Sequence, residues 1–397
     1  TGPFVLCSNP VNPRHDRTEV IISRPSGIVL VVLVLAMNTG CAELLFTKTA
    51  PPESLRSVEL LPGVLIDTVG STAYLMNPKG GIDAVDLSTG RLLWTSHQGA
   101  KPILVHRNLL ATQAEIPDRP GALRIAVLDT RNAGKVVATA DVELPAGARA
   151  FIDQRMGESF EIQSRIDRED LILSWKFFRR PVEGAAPGSS AKPGHDQAGG
   201  AFRIDLRTGE AKSLGSGEVP PRDLLPERVA RKAGSGTLST PPLPAGKVFA
   251  AAEVRTRNGR QQTILRRWER KTGNPIPDIT LFDGRARALL PSANGLHLLA
   301  IRMNHPGGGD GGKYLWSIYS LETGILAGEI RNRSSASRFL LLGSILIHES
   351  PPFRQLVEGK WLEKPIRVRV VDLDTGTELW ERPIRDTVFH RPYPPRG

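Results

Sequence analysis

The chain has 397 residues, which is enough for one large closed domain or for two ordinary ones. Charged residues make up 23% of it and several apolar runs occur, so wholesale disorder is excluded. The formal net charge of +11 is spread along the chain without a basic helix, an RNP-like aromatic motif or zinc-ligand spacing, so nucleic-acid binding is not expected. A basic surface of this kind favours anionic neighbours such as lipid headgroups or cell-envelope polymers.

The N-terminal part contains a ten-residue apolar run, IVLVVLVLAM at 28–37, that follows several arginines and precedes NTGC. Ten residues span only ~15 Å as a helix, about half the hydrocarbon thickness, so the run predicts a secretory signal within residues 1–41 rather than a membrane anchor. Cys41 after Gly40 is similar to the cleavage site of bacterial lipoproteins, whose cysteine carries the lipid. Cleavage after Ala42 by an ordinary signal peptidase remains the alternative. The chain does not begin with Met, so it is either a fragment or carries residues upstream of a true start.

After a linker at 42–56, residues 84–94 read AVDLSTGRLLW, an alternating apolar run, a polar Thr-Gly and a second apolar run ending in Trp94. This pattern predicts a strand, a tight turn and a second strand. Gly90 supplies the positive φ that the turn needs, and Asp86 can accept hydrogen bonds from backbone N–H groups of the turn.

The same phrase recurs along the chain. Residues 370–380 read VVDLDTGTELW and match the first copy at seven of eleven positions. Looser copies lie at 124–140, 203–214, 266–281 and 316–330. We interpret the recurring residues as structural repeat residues: Asp86, Thr89, Gly90, Trp94, Asp205, Thr208, Gly209, Thr272, Gly273, Thr323, Gly324, Asp372, Thr375, Gly376 and Trp380.

The spacing of the turn glycines predicts the architecture. The shorter spacings, 44, 51 and 52 residues, fit the ~40–50 residues of a four-stranded propeller blade. The longer ones, 75 and 64 residues, are explained by Gly/Pro-rich insertions at 181–200 and 215–246. We therefore predict an all-β chain that forms a β-propeller of about six four-stranded blades, with seven possible, over 57–388, followed by a Pro-rich tail at 389–397. A β-sandwich with chance Asp-x-Thr-Gly turns is the alternative.

The phrase Val-Asp-Leu-x-Thr-Gly-x-x-Leu-Trp resembles the repeat of the PQQ-like (quinoprotein-like) propeller family. The family includes quinoprotein alcohol dehydrogenases and non-enzymatic lipoproteins, such as the propeller lipoprotein of the outer-membrane barrel-assembly machine. The resemblance implies that Trp94 and Trp380 pack one blade against the next. The family's dehydrogenases use adjacent cysteines and an acidic calcium site, which this chain lacks, so no cofactor is expected.

Other motifs do not predict chemistry. GGGDGGKY at 307–314 matches part of a phosphate loop, but Tyr314 replaces the Ser or Thr that binds Mg²⁺, and a strand pattern follows where a helix is needed. The eight histidines show no paired metal-ligand spacing, and no nucleophile elbow precedes a helix. The sequence therefore predicts no catalytic residue, no metal site and no cofactor site.

Closure of the ring requires a strand from one end of the chain in the blade formed by the other end. We expect a strand within 56–63 to complete the last blade, around 338–385. The functional hypothesis is an exported, non-catalytic scaffold: a periplasmic or outer-membrane-associated bacterial lipoprotein held to the membrane by Cys41. It would bind other envelope proteins, for instance by β-strand addition. An enzyme with a site in the propeller channel and a small-ligand sensor are the alternatives.

Overall fold

The structure is a computed structural model that describes residues 57–114, 116, 122–143, 158–179, 199–215, 231–232, 238–304, 314–332, 337–358 and 360–385. All of these belong to one compact unit, residues 51–397. The predicted signal and linker, the tail at 389–397 and most of both predicted insertions lie outside the described residues. Across the described ranges there is no helix that is long and apolar enough to span a membrane.

The described strands form six antiparallel sheets of four or five strands, which we number I to VI in chain order. Sheet I consists of β1 (Ser57–Leu61), β2 (Val64–Asp67), β3 (Thr72–Met76), β4 (Ile82–Asp86) and β5 (Leu92–Ser96). Sheet II consists of β6 (Lys101–His106), β7 (Leu109–Ala114), β8 (Ala122–Asp129) and β9 (Lys135–Glu143). Sheet III consists of β10 (Glu158–Asp167), β11 (Asp170–Arg179), β12 (Gly199–Asp205) and β13 (Ala211–Leu214).

A two-residue strand, β14 (Arg231–Lys232), follows sheet III and joins sheet VI. Sheet IV consists of β15 (Leu243–Ala245), β16 (Val248–Arg257), β17 (Arg260–Glu269) and β18 (Pro275–Asp283). Sheet V consists of β19 (Ala288–Pro291), β20 (His297–Met303), β21 (Tyr314–Ser320) and β22 (Leu326–Asn332). Sheet VI consists of β14, β23 (Arg338–Leu342), β24 (Ile345–Ser350), β27 (Arg367–Asp372) and β28 (Glu378–Pro383). A separate hairpin of β25 (Phe353–Val357) and β26 (Lys360–Lys364) lies between β24 and β27 in the chain. The prediction of an all-β chain is confirmed, and six sheets are consistent with a propeller-like arrangement.

The burial of each strand follows its place in its sheet. In β3 all five residues are buried, including the aromatic Tyr74, because both faces of that strand are covered. The last strand of sheet II, β9, alternates between exposed and buried residues, as expected of a strand with one covered face. The early strands of each sheet therefore supply most of the core, and the last strand forms its outer edge.

Buried side chains form five clusters, and each cluster joins two sheets. The pairs are I with II, II with III, IV with V, V with VI, and VI with I. In the last of these, Leu60 and Val85 of sheet I pack with Ile347, Val368 and Val370 of sheet VI. The first and last sheets of the chain are thus in direct contact, whereas none of the five clusters of described residues joins sheet III to sheet IV.

The expectation that a strand within 56–63 completes the last sheet is wrong. β1 pairs with β2 in sheet I, with Val58 opposite Ile66, because a two-residue turn containing Gly63 at φ +88° closes a local hairpin. The extra strand of sheet VI comes instead from the middle of the chain, since β14 pairs with β23. β1 still links the two ends of the chain, because Val58 and Leu60 lie in the core cluster that sheets I and VI share.

Candidate functional site

The repeat aspartates are hydrogen-bonded within their turns. Oδ1 of Asp86 accepts hydrogen bonds from the N–H groups of Ser88 and Thr89, at 3.0 and 2.8 Å. Hydrogen bonds from the side chains of these two residues, followed by those from their N–H groups, hold the pKa of Asp86 below its usual value. Asp205 and Asp372 each accept hydrogen bonds from the N–H groups two and three residues further on. These carboxylates stabilise turns.

The threonine of each repeat has a function that the sequence interpretation missed. In five turns its hydroxyl oxygen accepts a hydrogen bond from the N–H group two residues later, at 3.1–3.3 Å. The accepting threonines are Thr89, Thr208, Thr272, Thr323 and Thr375. Because this bond spans the glycine, it fixes the turn whether or not an aspartate precedes it.

The six turn glycines are Gly90, Gly134, Gly209, Gly273, Gly324 and Gly376, and all of them except Gly273 lie where neighbouring sheets meet. All six have positive φ between +68° and +78°. A Cβ placed on Gly90 of sheet I would lie 2.5 Å from Cγ of Trp380 in sheet VI, and one on Gly134 of sheet II would lie 2.5 Å from Cζ3 of Trp94 in sheet I. Trp380 is 8% exposed, and its Nε1 donates a hydrogen bond to the carbonyl oxygen of Leu87 at 2.8 Å. Each tryptophan therefore packs on the turn of the next sheet, although Trp94 is only partly buried.

The other interfaces use smaller groups at the same place. A Cβ on Gly209 would meet the backbone of Thr139 in sheet II, and one on Gly324 would meet the side chain of Ile279 in sheet IV. Gly376 lies against Gly328, where two backbones approach directly. Gly273 of sheet IV has no described atom within 4 Å, which agrees with the lack of a described core cluster between sheets III and IV.

Large apolar residues recur at the start of the last strand of several sheets. We call them the outer-edge residues: Leu92, Leu93, Val137, Ile325, Leu326 and Leu379. Their exposure ranges from 38% to 67%. The strands β5, β9, β22 and β28 come last in the pairing order of their sheets, so within the described ranges nothing pairs with their second edge. Apolar side chains beside an unpaired strand edge form a surface on which an extended peptide can add as a further strand.

A cavity of about 620 Å³ lies between sheets I and II. Its lining is mixed, with aromatic, cationic and polar side chains: Asp67, Gly70, Thr72, Tyr74, Leu93, Trp94, Arg107, Asn108, Thr130 and Arg131. The carboxylate of Asp67 accepts hydrogen bonds from two N–H groups of the following turn, at 3.1 and 2.9 Å. Arg107 forms an ion pair with Glu169 of sheet III at 2.8 Å. Of the three charged residues in the lining, Asp67 and Arg107 thus already have partners within the protein.

Sheet VI contains a cluster of charged residues that are paired with each other. Glu381 contacts the guanidinium groups of Arg367 and Arg369. Burial opposes ionisation of Glu381, but its hydrogen bond to Arg367 and the charge of Arg369 lower its pKa below the usual value. His348 in the same sheet is fully buried, and burial lowers its pKa to about 4. Its ring lies 5.4 Å from that of Trp316, so the neutral histidine belongs to the packing between sheets V and VI.

The histidines, for which the sequence predicts no metal site, and the predicted lipidation residue Cys41 are placed as follows. Nε2 of His297 in sheet V lies 2.9 Å from Oδ1 of Asp374 in sheet VI, and this contact bridges two sheets. The described residues contain no group of three or more His, Cys, Asp or Glu side chains that could hold a metal ion. Cys41, His305, His390 and the glycine-rich segment before Tyr314 lie outside the described residues.

The comparisons with known proteins identify no function for this chain. No family model matches the chain, and no curated protein matches it. Two similar solved structures are those of the computationally designed Ika8 protein and of a eukaryotic initiation factor. The first is 12% identical with a TM-score of 0.23, covering 83% of this chain and 89% of the other. The second is 10% identical with a TM-score of 0.28, covering 81% and 87%. At these TM-scores neither similarity supports an inference about this chain.

Proposed function

We propose that this chain is a PQQ-like β-propeller of six blades, exported and attached to a membrane, which holds other cell-envelope proteins and catalyses no reaction. The observation that supports the binding role most directly is the recurrence, in four of the six sheets, of exposed apolar residues beside strand edges that no described strand pairs with. The shared fold by itself would not establish a function.

The ring architecture is supported by the order of the sheet contacts. Consecutive sheets pack face to face from I to III and from IV to VI, and sheet VI packs on sheet I. These five contacts follow the order of propeller blades around a common axis, and the described residues lack a core cluster only between sheets III and IV. The contact between Trp380 and the turn at Gly90 repeats the contact between Trp94 and the turn at Gly134, so the junction of the two chain ends is built like an internal one.

Such a frame suits the binding of an extended peptide. Main-chain hydrogen bonds to an outer strand supply affinity, and the exposed side chains beside that strand, such as Leu93 and Leu326, contact alternate residues of the peptide. Several blades present equivalent edges, so one partner could contact more than one of them.

Site-specific photo-crosslinking in the native host tests this binding role. A photoreactive phenylalanine analogue would replace Leu93 or Leu326, and the matched control would carry it at Val69, which is 68% exposed but lies in a turn rather than beside an outer edge. We expect both edge positions, and not Val69, to form adducts with the same envelope protein. Adducts with no dependence on position, or none at any position, would contradict the scaffold function.

Attachment to the membrane is tested separately. Replacing Cys41 with Ser should move the protein from the membrane fraction to the soluble fraction and abolish incorporation of a labelled fatty acid. If the wild-type chain incorporates no labelled fatty acid and is found in the same fraction as Cys41→Ser, the lipoprotein assignment is contradicted and cleavage after Ala42 is favoured.

The cavity between sheets I and II is the observation that favours the alternative of a small-ligand sensor. Trp94 and Tyr74 line it with aromatic rings, and Arg107 and Arg131 line it with positive charge. A small anionic compound that raises the melting temperature of the wild type but not of Arg131→Ala would support that alternative.

A further inference from the structure

The hairpin of β25 and β26 stands apart from the six sheets. Its two strands pair with each other, with Val357 opposite Lys360 next to the turn, and within the described ranges they form a separate two-stranded sheet. Trp361 of this hairpin is 68% exposed and Leu362 is 45% exposed. An exposed tryptophan near the turn of such a hairpin indicates a contact surface, because tryptophan is among the costliest side chains to leave in water.

The two exposed residues lie on opposite faces of the hairpin. Successive residues of a strand point to opposite sides, and both Trp361 and Leu362 are exposed. A protein partner that docks on a hairpin covers one face, whereas a lipid surface surrounds an inserted tip and covers both. The exposed Lys360 beside this pair places a cation where headgroup phosphates would lie, and the exposed carboxylates of Glu358 and Glu363 lie next to it. Attraction to anionic lipid therefore comes from the net charge of +11 of the whole chain rather than from the hairpin alone.

A third exposed apolar residue lies at the same end of the sheets as the hairpin, which we call the hairpin rim; it is opposite the end that carries the Thr-Gly turns. Met303, 53% exposed, ends β20, which occupies the place in sheet V that β24 occupies in sheet VI, and the hairpin follows β24. β24 is antiparallel to β27, so its end lies away from the Thr-Gly turn that follows β27. Nη2 of Arg287 lies 3.1 Å from Sδ of Met303 and adds a cation there.

We propose that this rim is a second membrane contact, in which Trp361 and Leu362 enter the interfacial region of a bilayer that carries anionic lipid. Tryptophan prefers that region because its ring is amphipathic. This contact goes beyond the proposed scaffold function and does not depend on the lipid attachment at Cys41.

Binding to vesicles tests the proposal. The full chain with Cys41→Ser, which cannot be lipidated, would be mixed with phosphatidylcholine vesicles containing about 30% phosphatidylglycerol and then sedimented. We expect Trp361→Ala to weaken binding about tenfold, Leu362→Ala to weaken it by a smaller factor and Trp361→Phe to retain most of it. Val69→Ala is the matched control, because Val69 is also 68% exposed but lies in the turn before β3, on the rim of the Thr-Gly turns, and it should bind like the unchanged protein.

Brominated lipids give a readout that depends on position. They should quench a component of the tryptophan emission that is missing from Trp361→Phe. Equal binding of the parent protein and Trp361→Ala, or no quenching of that component, would overturn the proposal. A change of Trp361 that alters the oligomeric state without altering vesicle binding would also overturn it, because the occupant would then be a second copy of the chain.

Discussion

Replacing Trp380 with Ala removes the largest side chain at the junction between the first and last sheets. The indole ring packs on the Gly90 turn of sheet I, and its Nε1 donates a hydrogen bond to the carbonyl oxygen of Leu87. The substitution would leave a cavity against that turn and would deprive a buried carbonyl group of its partner, since Leu87 is only 2% exposed.

These contacts determine the size of the expected effect. Truncation of a buried tryptophan to alanine costs roughly 3–5 kcal/mol of unfolding free energy, a figure that includes the cavity. Trp380→Phe keeps much of the ring and loses the hydrogen bond, so we expect a loss of about 1–3 kcal/mol. Trp94→Ala should cost less than Trp380→Ala, because Trp94 is only partly buried.

Urea unfolding followed by circular dichroism measures these differences. Trp361→Ala is the matched control: that side chain is 68% exposed, and its loss should change the unfolding free energy by less than about 0.5 kcal/mol. If Trp380→Ala unfolds within about 1 kcal/mol of the wild type, the junction does not bury this ring and the argument for direct packing of sheet VI on sheet I fails.

Three further predictions are checked by the same urea unfolding. Gly90→Ala should destabilise the protein far more than Gly273→Ala in urea unfolding, because both have positive φ but only the Cβ at Gly90 would collide with Trp380; equal losses would show that strain alone decides. His348, with a folded pKa of about 4, takes up a proton only in the unfolded state between that value and about 6.5, so unfolding free energy should fall by roughly 2–3 kcal/mol as the pH drops through this window. His348→Gln should lose that part of the pH dependence, and an unchanged slope would refute it. Leu60→Ala, at a fully buried position of β1, should cost about 2–5 kcal/mol in the same assay, and a neutral result would mean that β1 does not join sheet I to sheet VI.

The turns could be predicted from sequence because their chemistry is local. Asp86 and Gly90 act within one turn, on groups two to four residues away, so a short phrase contains all that the geometry needs. The two copies that lack the aspartate, at 266–281 and 316–330, still form the turn for the same reason. Glu269 and Ser320 take the aspartate position in two turns, and the threonine hydroxyl still bonds across the glycine.

The pairing of strands and the contacts between sheets are harder to predict from the sequence than the turns are. β1 has an apolar pattern that suits either end of the chain, and the local turn at Gly63 decides in favour of β2. β14 is two residues long and has no periodic pattern, so its pairing with β23 is set by tertiary contacts alone. The contact between Gly328 and Gly376 replaces a tryptophan with two backbones, and no residue type in the sequence marks that exchange.

The exposed apolar surfaces were the hardest feature to predict from the sequence. Trp361 lies in KWLEK, which reads like any short amphipathic strand, and its exposure follows from the hairpin pairing only with itself in the described part of the chain. The outer-edge residues, such as Leu326, likewise read as core positions, because the repeat pattern does not tell which strand comes last in its sheet.

Cyclic packing of the six sheets is tested most directly by the distance between the first and last of them. Spin labels at Ser88→Cys and Glu378→Cys, both exposed and close to the contact of Gly90 with Trp380, would be placed on a chain in which Cys7 and Cys41 are serine. Pulsed electron–electron double resonance should give a single distance below about 25 Å that persists on dilution with unlabelled protein. Sheets that pack about 10 Å apart in an open row of six would separate the labels by about 50 Å, and a distance near that value would contradict the closed arrangement.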